Sequence, residues 1–214
     1  MRPRVHNVLS YSVTLLVFWG VLWARTRGQA LSSTASFAAA LWTLHFVRRT
    51  LESAFVHRYS KSRIGKADSL SEYAYYWGFA AWIAWSVTRA ELRPPALGLR
   101  ALGLLLFAAA ELGNAKAHLT LRELRSRGGR ERSIPRGLLF ERVSCPHYSC
   151  EIMAWLGFNL VTGTLAGTLF MLVGAAILLA WARTRHLAYQ REFDGKDGSE
   201  PYPPGRRALI PFLF

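Results

Sequence analysis

Acidic residues are scarce in this chain. Only 13 Asp and Glu stand against 27 Lys and Arg in 214 residues, a formal charge of +14. A soluble nucleic-acid binder could share that charge, but not the long stretches that lack charge altogether. Cysteine is scarcer still, with Cys145 and Cys150 alone. Several motifs are absent. There is no Gly-rich dinucleotide fingerprint, no P-loop and no G-x-S-x-G nucleophile elbow, so a bound nucleotide would not sit in a Rossmann fold. No small-residue cleavage site follows the first apolar run, which therefore reads as a retained span rather than a signal peptide. Internal repeats and a separate soluble domain are likewise missing, and 1–214 reads as a single membrane-embedded domain.

What is present is apolar: 51% hydrophobic residues, 13% aromatic, with eight Trp. Nearly charge-free runs cover Val8–Ala24, Ala30–Val47, Tyr73–Thr88, Leu97–Leu112 and Ile152–Ala182. A crossing helix needs about 20 such residues. The last run is too long for one upright span at about 1.5 Å per residue. Asn159, Thr162, Gly163, Thr164 and Gly167 offer a place to break it into two helices. The expected fold is all-α, a polytopic integral membrane bundle of about six transmembrane helices. Basic residues then gather on one side: Arg2 and Arg4, the Arg48–Lys66 stretch, the Arg122–Arg142 stretch and the tail from Arg183. Arg25, Arg27, Arg89, Arg93 and Arg100 fall on the other. Basic loops stay cytosolic, so both termini are expected in the cytosol. The basic excess is mainly a topology signal, with attraction to anionic lipid or substrate second. Cys145 and Cys150 fall on the cytosolic side, where a structural disulfide is not expected.

The segment Ile134–Phe158 sets Glu141, Arg142, His147, Tyr148 and Glu151 against the apolar run from Ile152. Ionisable groups at a membrane lip are costly unless they meet partners, a ligand or water. Glu111, Asn114 and His118 share a helix face at i, i+3, i+7, and Arg122 and Arg125 continue the stripe. That stripe reads either as a pocket wall ending in phosphate-binding cations or as an interhelical network with a solvated end. Arg48, Arg49, Glu52, His57 and Arg58 form either a second anion-facing surface or an Arg-anchored helix end, with Arg48 and Glu52 able to pair. Cys145, His147 and Cys150 are too few and too poorly spaced for a zinc site, and no metal is expected. Tyr148 could donate a proton at neutral pH, yet Tyr is also an ordinary interfacial residue. Arg183, Arg185, His186, Tyr189 and Arg191 read as a positive anchor closing the last span. Gly163 and Gly167, as a small-xxx-small pair, read most simply as helix packing. The apolar tail after Arg206–Arg207 reads as tucking back onto the bundle or the membrane face.

Five stretches, in order from about residue 45 onward, resemble the trans-2-enoyl-CoA reductase branch of the steroid 5α-reductase family. They are RRTLESAFVHRYS, EYAYYWGFAAW, ELGNAKAHLTLRELR with RSIP, VSCPHYSCEIMAWLGF, and HLAYQREF with PYPPGRRALIPFLF. The resemblance implies an α bundle in the endoplasmic reticulum membrane with NADPH in a polar cavity facing the cytosol. By motif position, Asn114, Arg125, Glu151, His186, Tyr189 and Arg49 match cofactor-contacting residues, and Tyr148 matches the catalytic tyrosine. The implied reaction reduces the C2=C3 bond of a long-chain trans-2-enoyl-CoA during very-long-chain fatty acid elongation, alongside other elongation enzymes in the lipid bilayer. Reduction of a steroid or polyprenoid enone, or a silent scaffold of the same fold, stands as the alternative. The chain departs from the family pattern at Arg48, where Lys is common, at His118 and at Arg132. The N-terminal ubiquitin-like domain typical of these reductases is not expected in 1–214, which reads as the membrane domain alone.

Overall fold

The computed structural model describes residues 1–59, 63–126, 133–196, 198 and 200–210, the side chains of Arg125, Ser126 and Leu138 excepted. Lys61, the loop from 127 to 132 with its Gly pair and Arg132, and the last residues of the tail lie outside that set. The described residues form six α-helices and no named strand. They are α1 (Pro3–Thr26), α2 (Ser33–Leu51), α3 (Lys66–Val87), α4 (Leu97–Ser126), α5 (Pro146–Thr162) and α6 (Leu165–Glu192). Each apolar run lies within or largely within a helix, and the long run is split in two. Helices α1, α4 and α6 are long and apolar enough to cross a membrane. Many of their outward residues are apolar, among them Leu16, Trp23, Leu105, Leu112 and Leu165, as suits side chains that meet lipid rather than water.

Local chemistry sets the helix ends. Pro3 opens α1, where its missing N–H costs nothing. Arg27 closes it in the left-handed region at φ 50°, its N–H bonding to Trp23 O at 2.7 Å. The Ser32 hydroxyl caps α2 by accepting the Ala35 N–H at 3.2 Å. The α5–α6 break falls at Gly163, whose φ of +64° suits a residue without Cβ. Thr164 Oγ1 accepts the Gly167 N–H at 3.2 Å and so starts α6. The Asn159 amide ties the two helices by donating to Trp155 O and Gly167 O at 2.9 and 3.0 Å.

The chain divides into two compact units, Met1–Phe107 with Trp155–Phe170, and Ala108–Ala154 with Met171–Phe214. The first is built around Trp42, fully buried among Phe18, Phe46, Trp155, Phe158 and Phe170, with ring centroids 4.7–5.8 Å away. A buried polar stripe on α1, His6, Ser10 and Thr14, follows i, i+4, i+8 spacing. Helix α3 lies beside it: His6 Nε2 is 3.0 Å from Glu72 Oε2, and Trp77 Nε1 donates to the Ser10 backbone oxygen at 3.1 Å. Helices α4 and α5 cross with their backbones almost touching. A Cβ on Gly103 would lie 2.7 Å from Gly157 O, and one on Gly157 would lie 2.6 Å from Gly103 O. Sequence spacing had suggested Gly163 and Gly167 as the packing pair. Instead Gly163 makes the turn and Gly167 faces the Asn159 side chain. Periodicity within one helix does not report which glycine of another helix lies opposite.

The second unit combines the end of α4, the start of α5, most of α6 and the C-terminal segment. Residues 142–145 and 207–208 run side by side in a short parallel pairing. Arg207 N–H bonds Arg142 O at 3.0 Å, Ser144 N–H bonds Arg207 O at 2.8 Å, and Cys145 N–H bonds Ala208 O at 3.2 Å. Ala208 and Leu209 are buried with Cys145 and Ala182, and Tyr148, Ile152 and Leu179 pack against them. The described part of the tail does fold back onto helical side chains.

Candidate active site

On α4 the predicted stripe is real: Glu111, Asn114 and His118 are all buried, while Lys116 is exposed. The Asn114 amide donates to the His147 carbonyl at 2.7 Å and to Glu151 Oε2 at 3.2 Å. It thereby fixes the first turns of α5 against α4. Close approach is possible because residue 113 is glycine; a Cβ there would lie 2.9 Å from Cys150 Sγ. Pro146 opens α5, and Cys145 O accepts the Tyr148 N–H at 3.0 Å. Tyr148 is half-buried. Its ring sits 4.2 Å from that of His147 and 6.3 Å from that of Trp181, and His147 in turn lies 5.6 Å from His118. Asn114, Glu151 and Tyr148 are thus brought together on facing turns of two helices.

His186 and Tyr189 project from one side of α6 into a second polar group in the same unit. Ser144 Oγ lies 2.6 Å from His186 Nδ1 and 2.7 Å from the Tyr202 hydroxyl, and donates to Arg207 O at 3.1 Å. The Tyr189 and Tyr202 rings stack at 5.5 Å with 6° between their planes. Arg206 is buried beneath them, 5.4 Å from the Tyr202 ring. Its guanidinium donates to Pro135 O at 2.8 Å and to Glu141 Oε2 at 3.3 Å. Glu141 also accepts the Gly137 N–H at 2.6 Å, the main reason its carboxyl titrates below the usual range, with Arg206 and Arg136 adding to it.

Sequence reasoning missed Ser144, Tyr202 and Arg206. Tyr202 and Arg206 flank the turn Pro203–Gly205. The usable signal was an aromatic and a guanidinium placed just before an apolar tail.

Arg125 lies in the last turn of α4, with its side chain outside the described residues. Arg49 belongs to the first unit. It donates to Glu52 Oε2 at 2.9 Å and to the Tyr11 hydroxyl at 3.2 Å, and sits over the Tyr11 ring. Arg48 bonds the other oxygen of Glu52, as the i, i+4 spacing predicted. Glu52 is buried at the start of a single π-helical turn, Glu52–Val56. Such turns occur often at functional sites.

Comparison with known proteins now bears on this arrangement. The model of the 3-oxo-5-alpha-steroid 4-dehydrogenase family matches residues 96–214. The chain belongs to that family. It is 40% identical over 177 residues to a very-long-chain enoyl-CoA reductase of Dictyostelium discoideum, covering 83% of this chain and 57% of that protein. To a probable very-long-chain enoyl-CoA reductase of Caenorhabditis elegans it is 36% identical over 181 residues, 81% of this chain and 57% of the relative. To a steroid 5-alpha-reductase of Gossypium hirsutum it is 30% identical over 191 residues, 89% and 62%. The chain thus spans 57% of the length of each of the first two relatives. In this family member the matched region contains both polar groups on α4, α5, α6 and the tail.

Proposed function

We propose that this family member reduces the C2=C3 double bond of a long-chain trans-2-enoyl-CoA with NADPH, as a step of very-long-chain fatty acid elongation. The observation that carries the reading is that Tyr148, Asn114, Glu151, His186 and Tyr189 all belong to one compact unit. Relatives named very-long-chain enoyl-CoA reductases support it, at higher identity than the steroid relative from cotton.

The residues suit a dinucleotide. Such a ligand needs neutral hydrogen-bonding groups for its ribose and amide portions and cations for its phosphates. Asn114, His186 and Tyr189 provide the first kind, and the Glu151 carboxylate adds an acceptor for hydroxyl or amide donors. The unit also exposes Arg142, Arg183, Arg185, Arg191 and Arg207. Arg125, in the same unit, is a further proposed contact. When bound, the reduced nicotinamide supplies a hydride for C3 of the enoyl thioester. Electron density then moves onto C2 and the thioester oxygen as an enolate. Tyr148, whose phenol is a proton donor, gives its proton to C2 and regains one from water. The Asn114 bonds hold the turn that presents Tyr148, so the donor does not have to be ordered at the moment of reaction. The setting we propose is the endoplasmic reticulum membrane, with the site open to the cytosol and other elongation enzymes as neighbours.

The test is NADPH oxidation by the purified protein, comparing a long-chain trans-2-enoyl-CoA with a steroid enone. Tyr148→Phe should lower kcat by about 10²–10⁴-fold, the range for loss of a general acid, with NADPH affinity largely kept. Wild-type turnover in that variant would remove Tyr148 from the chemistry. Turnover of the steroid enone alone would move the activity to the steroid branch.

A further inference from the structure

The hydrogen bonds around Ser144 fix where His186 carries its proton. A serine hydroxyl has one hydrogen to give and two lone pairs to fill. Ser144 Oγ has three neighbours: Arg207 O, which can only accept, the Tyr202 hydroxyl, and His186 Nδ1. All three bonds coexist in one way. Ser144 gives its hydrogen to Arg207 O, and the Tyr202 O–H and the His186 Nδ1–H both donate to Ser144. On the other side of the ring, the Gln190 amide nitrogen stands 3.0 Å from His186 Nε2. An amide nitrogen only donates, so Nε2 must hold a lone pair. Gln190 is exposed, whereas Ser144 and Tyr202 are buried. The Ser144 side of the ring is therefore built in, and the Nε2 side is the one a ligand could take over.

We propose that Ser144 is a positioning residue that holds His186 as the neutral Nδ1–H tautomer, so that Nε2 meets a ligand as a hydrogen-bond acceptor. The functional half rests on the reading of His186 as a nucleotide contact. It specifies the contact: Nε2 recognises a donor such as a ribose hydroxyl or the carboxamide NH₂, not a phosphate oxygen. A phosphate would require Nε2–H, and Ser144 would then have to surrender its bond to Arg207 O or the ring would have to become a cation.

The tautomer is read without any nucleotide, by ¹⁵N spectra of the full-length protein labelled at histidine, with His186→Asn assigning the resonance. The expected spectrum at pH 7.5 shows a protonated Nδ1 and an unprotonated Nε2. An Nε2–H tautomer or an imidazolium overturns the proposal from the wild-type protein alone. NADPH titration by fluorescence tests the consequence. Ser144→Ala should raise the Kd about 3- to 10-fold, the usual weight of one hydrogen bond, and KM for NADPH should rise more than kcat falls. Tyr202→Phe also removes a buried bond to Ser144 but keeps the Ser144–His186 bond, so it should retain the tautomer and weaken NADPH binding less than Ser144→Ala does. Equal weakening by both variants would mean that the network is merely structural. Failure of the wild-type protein to bind NADPH would sink the reductase reading and leave the tautomer result standing.

Discussion

Cys145 is enclosed by Ala182, Ala208 and Leu209, and that burial pushes its thiol up to about 12, against a small opposing pull from Arg185. The thiolate is the reactive form, so at pH 8 only about 10⁻⁴ of Cys145 is nucleophilic. Iodoacetamide should leave Cys145 unmodified in the folded protein and label it fully after unfolding, as followed by peptide mass spectrometry. Labelling in the native state at a rate near that of a free thiol would show that the tail does not cover it. Glu141, which helps to hold Arg206, gives a pH-dependent counterpart. Its folded pKa lies below the unfolded value, chiefly through the Gly137 N–H. The stability it contributes is therefore present above the unfolded pKa of about 4.3 and is lost as pH falls through the lower, folded value. Melting temperatures measured from pH 7 to pH 3 should fall more steeply for the wild type than for Glu141→Gln. Parallel curves would show that this carboxylate does not contribute to acid sensitivity. At this scale the sequence was only partly legible. Spacing on one helix put Glu111, Asn114 and His118 on one face, because helical geometry alone decides that. Nothing local could show that Asn114 meets Glu151, or that Tyr202 meets Ser144, since those distances depend on how separate segments pack.

Helices were the most legible level, because long charge-free runs have no good alternative to helix in a lipid setting. The break in the final run was legible for the same kind of reason: Gly163 and the hydrogen-bonding side chains beside it are poor helix interior and good turn chemistry. Interhelical contacts were not legible. The Gly103–Gly157 crossing is the clearest case, since neither residue stands out in its own helix. Gly157→Ala would put a methyl group 2.6 Å from Gly103 O and 2.7 Å from Phe107 N, both backbone atoms that cannot swing aside. The expected cost is about 1–3 kcal/mol, as for other overpacked sites, read as a lower melting temperature in detergent. Gly78→Ala on α3 is the control, because its added Cβ meets nothing within 4 Å. Relief of glycine's backbone entropy there should stabilise by about 0.5–1 kcal/mol. If both variants melt like the wild type, the close crossing is not a packing constraint.

For the whole molecule, the position of the C-terminus reports whether an odd or an even number of helices crosses the bilayer. If α1, α4 and α6 alone crossed, an odd count would put the two termini on opposite faces. The Arg48–Lys66 stretch would then share a face with Arg25, Arg27, Arg89 and Arg93, as would the tail from Arg183. The basic residues would then split nine against 17, a weaker asymmetry than the 21 against five of a chain crossing six times. If all six helices cross, the termini share a face, and Arg2, Arg4, the Arg48–Lys66 stretch, the Arg122–Arg142 stretch and the tail fall together. Cationic loops resist translocation, so the second arrangement is the one this charge pattern favours. It also places both ends of the residue 142–145 and 207–208 pairing at one membrane face, as hydrogen-bonded neighbours must be. A reporter fused after Phe214 should therefore be accessible from the same side as one fused before Met1, and that side should be the cytosol. Protease protection of the C-terminal reporter with exposure of the N-terminal one would establish an odd number of crossings. It would also separate the tail's Arg206 and Arg207 from cytosolic nucleotide, and with them the proposed site.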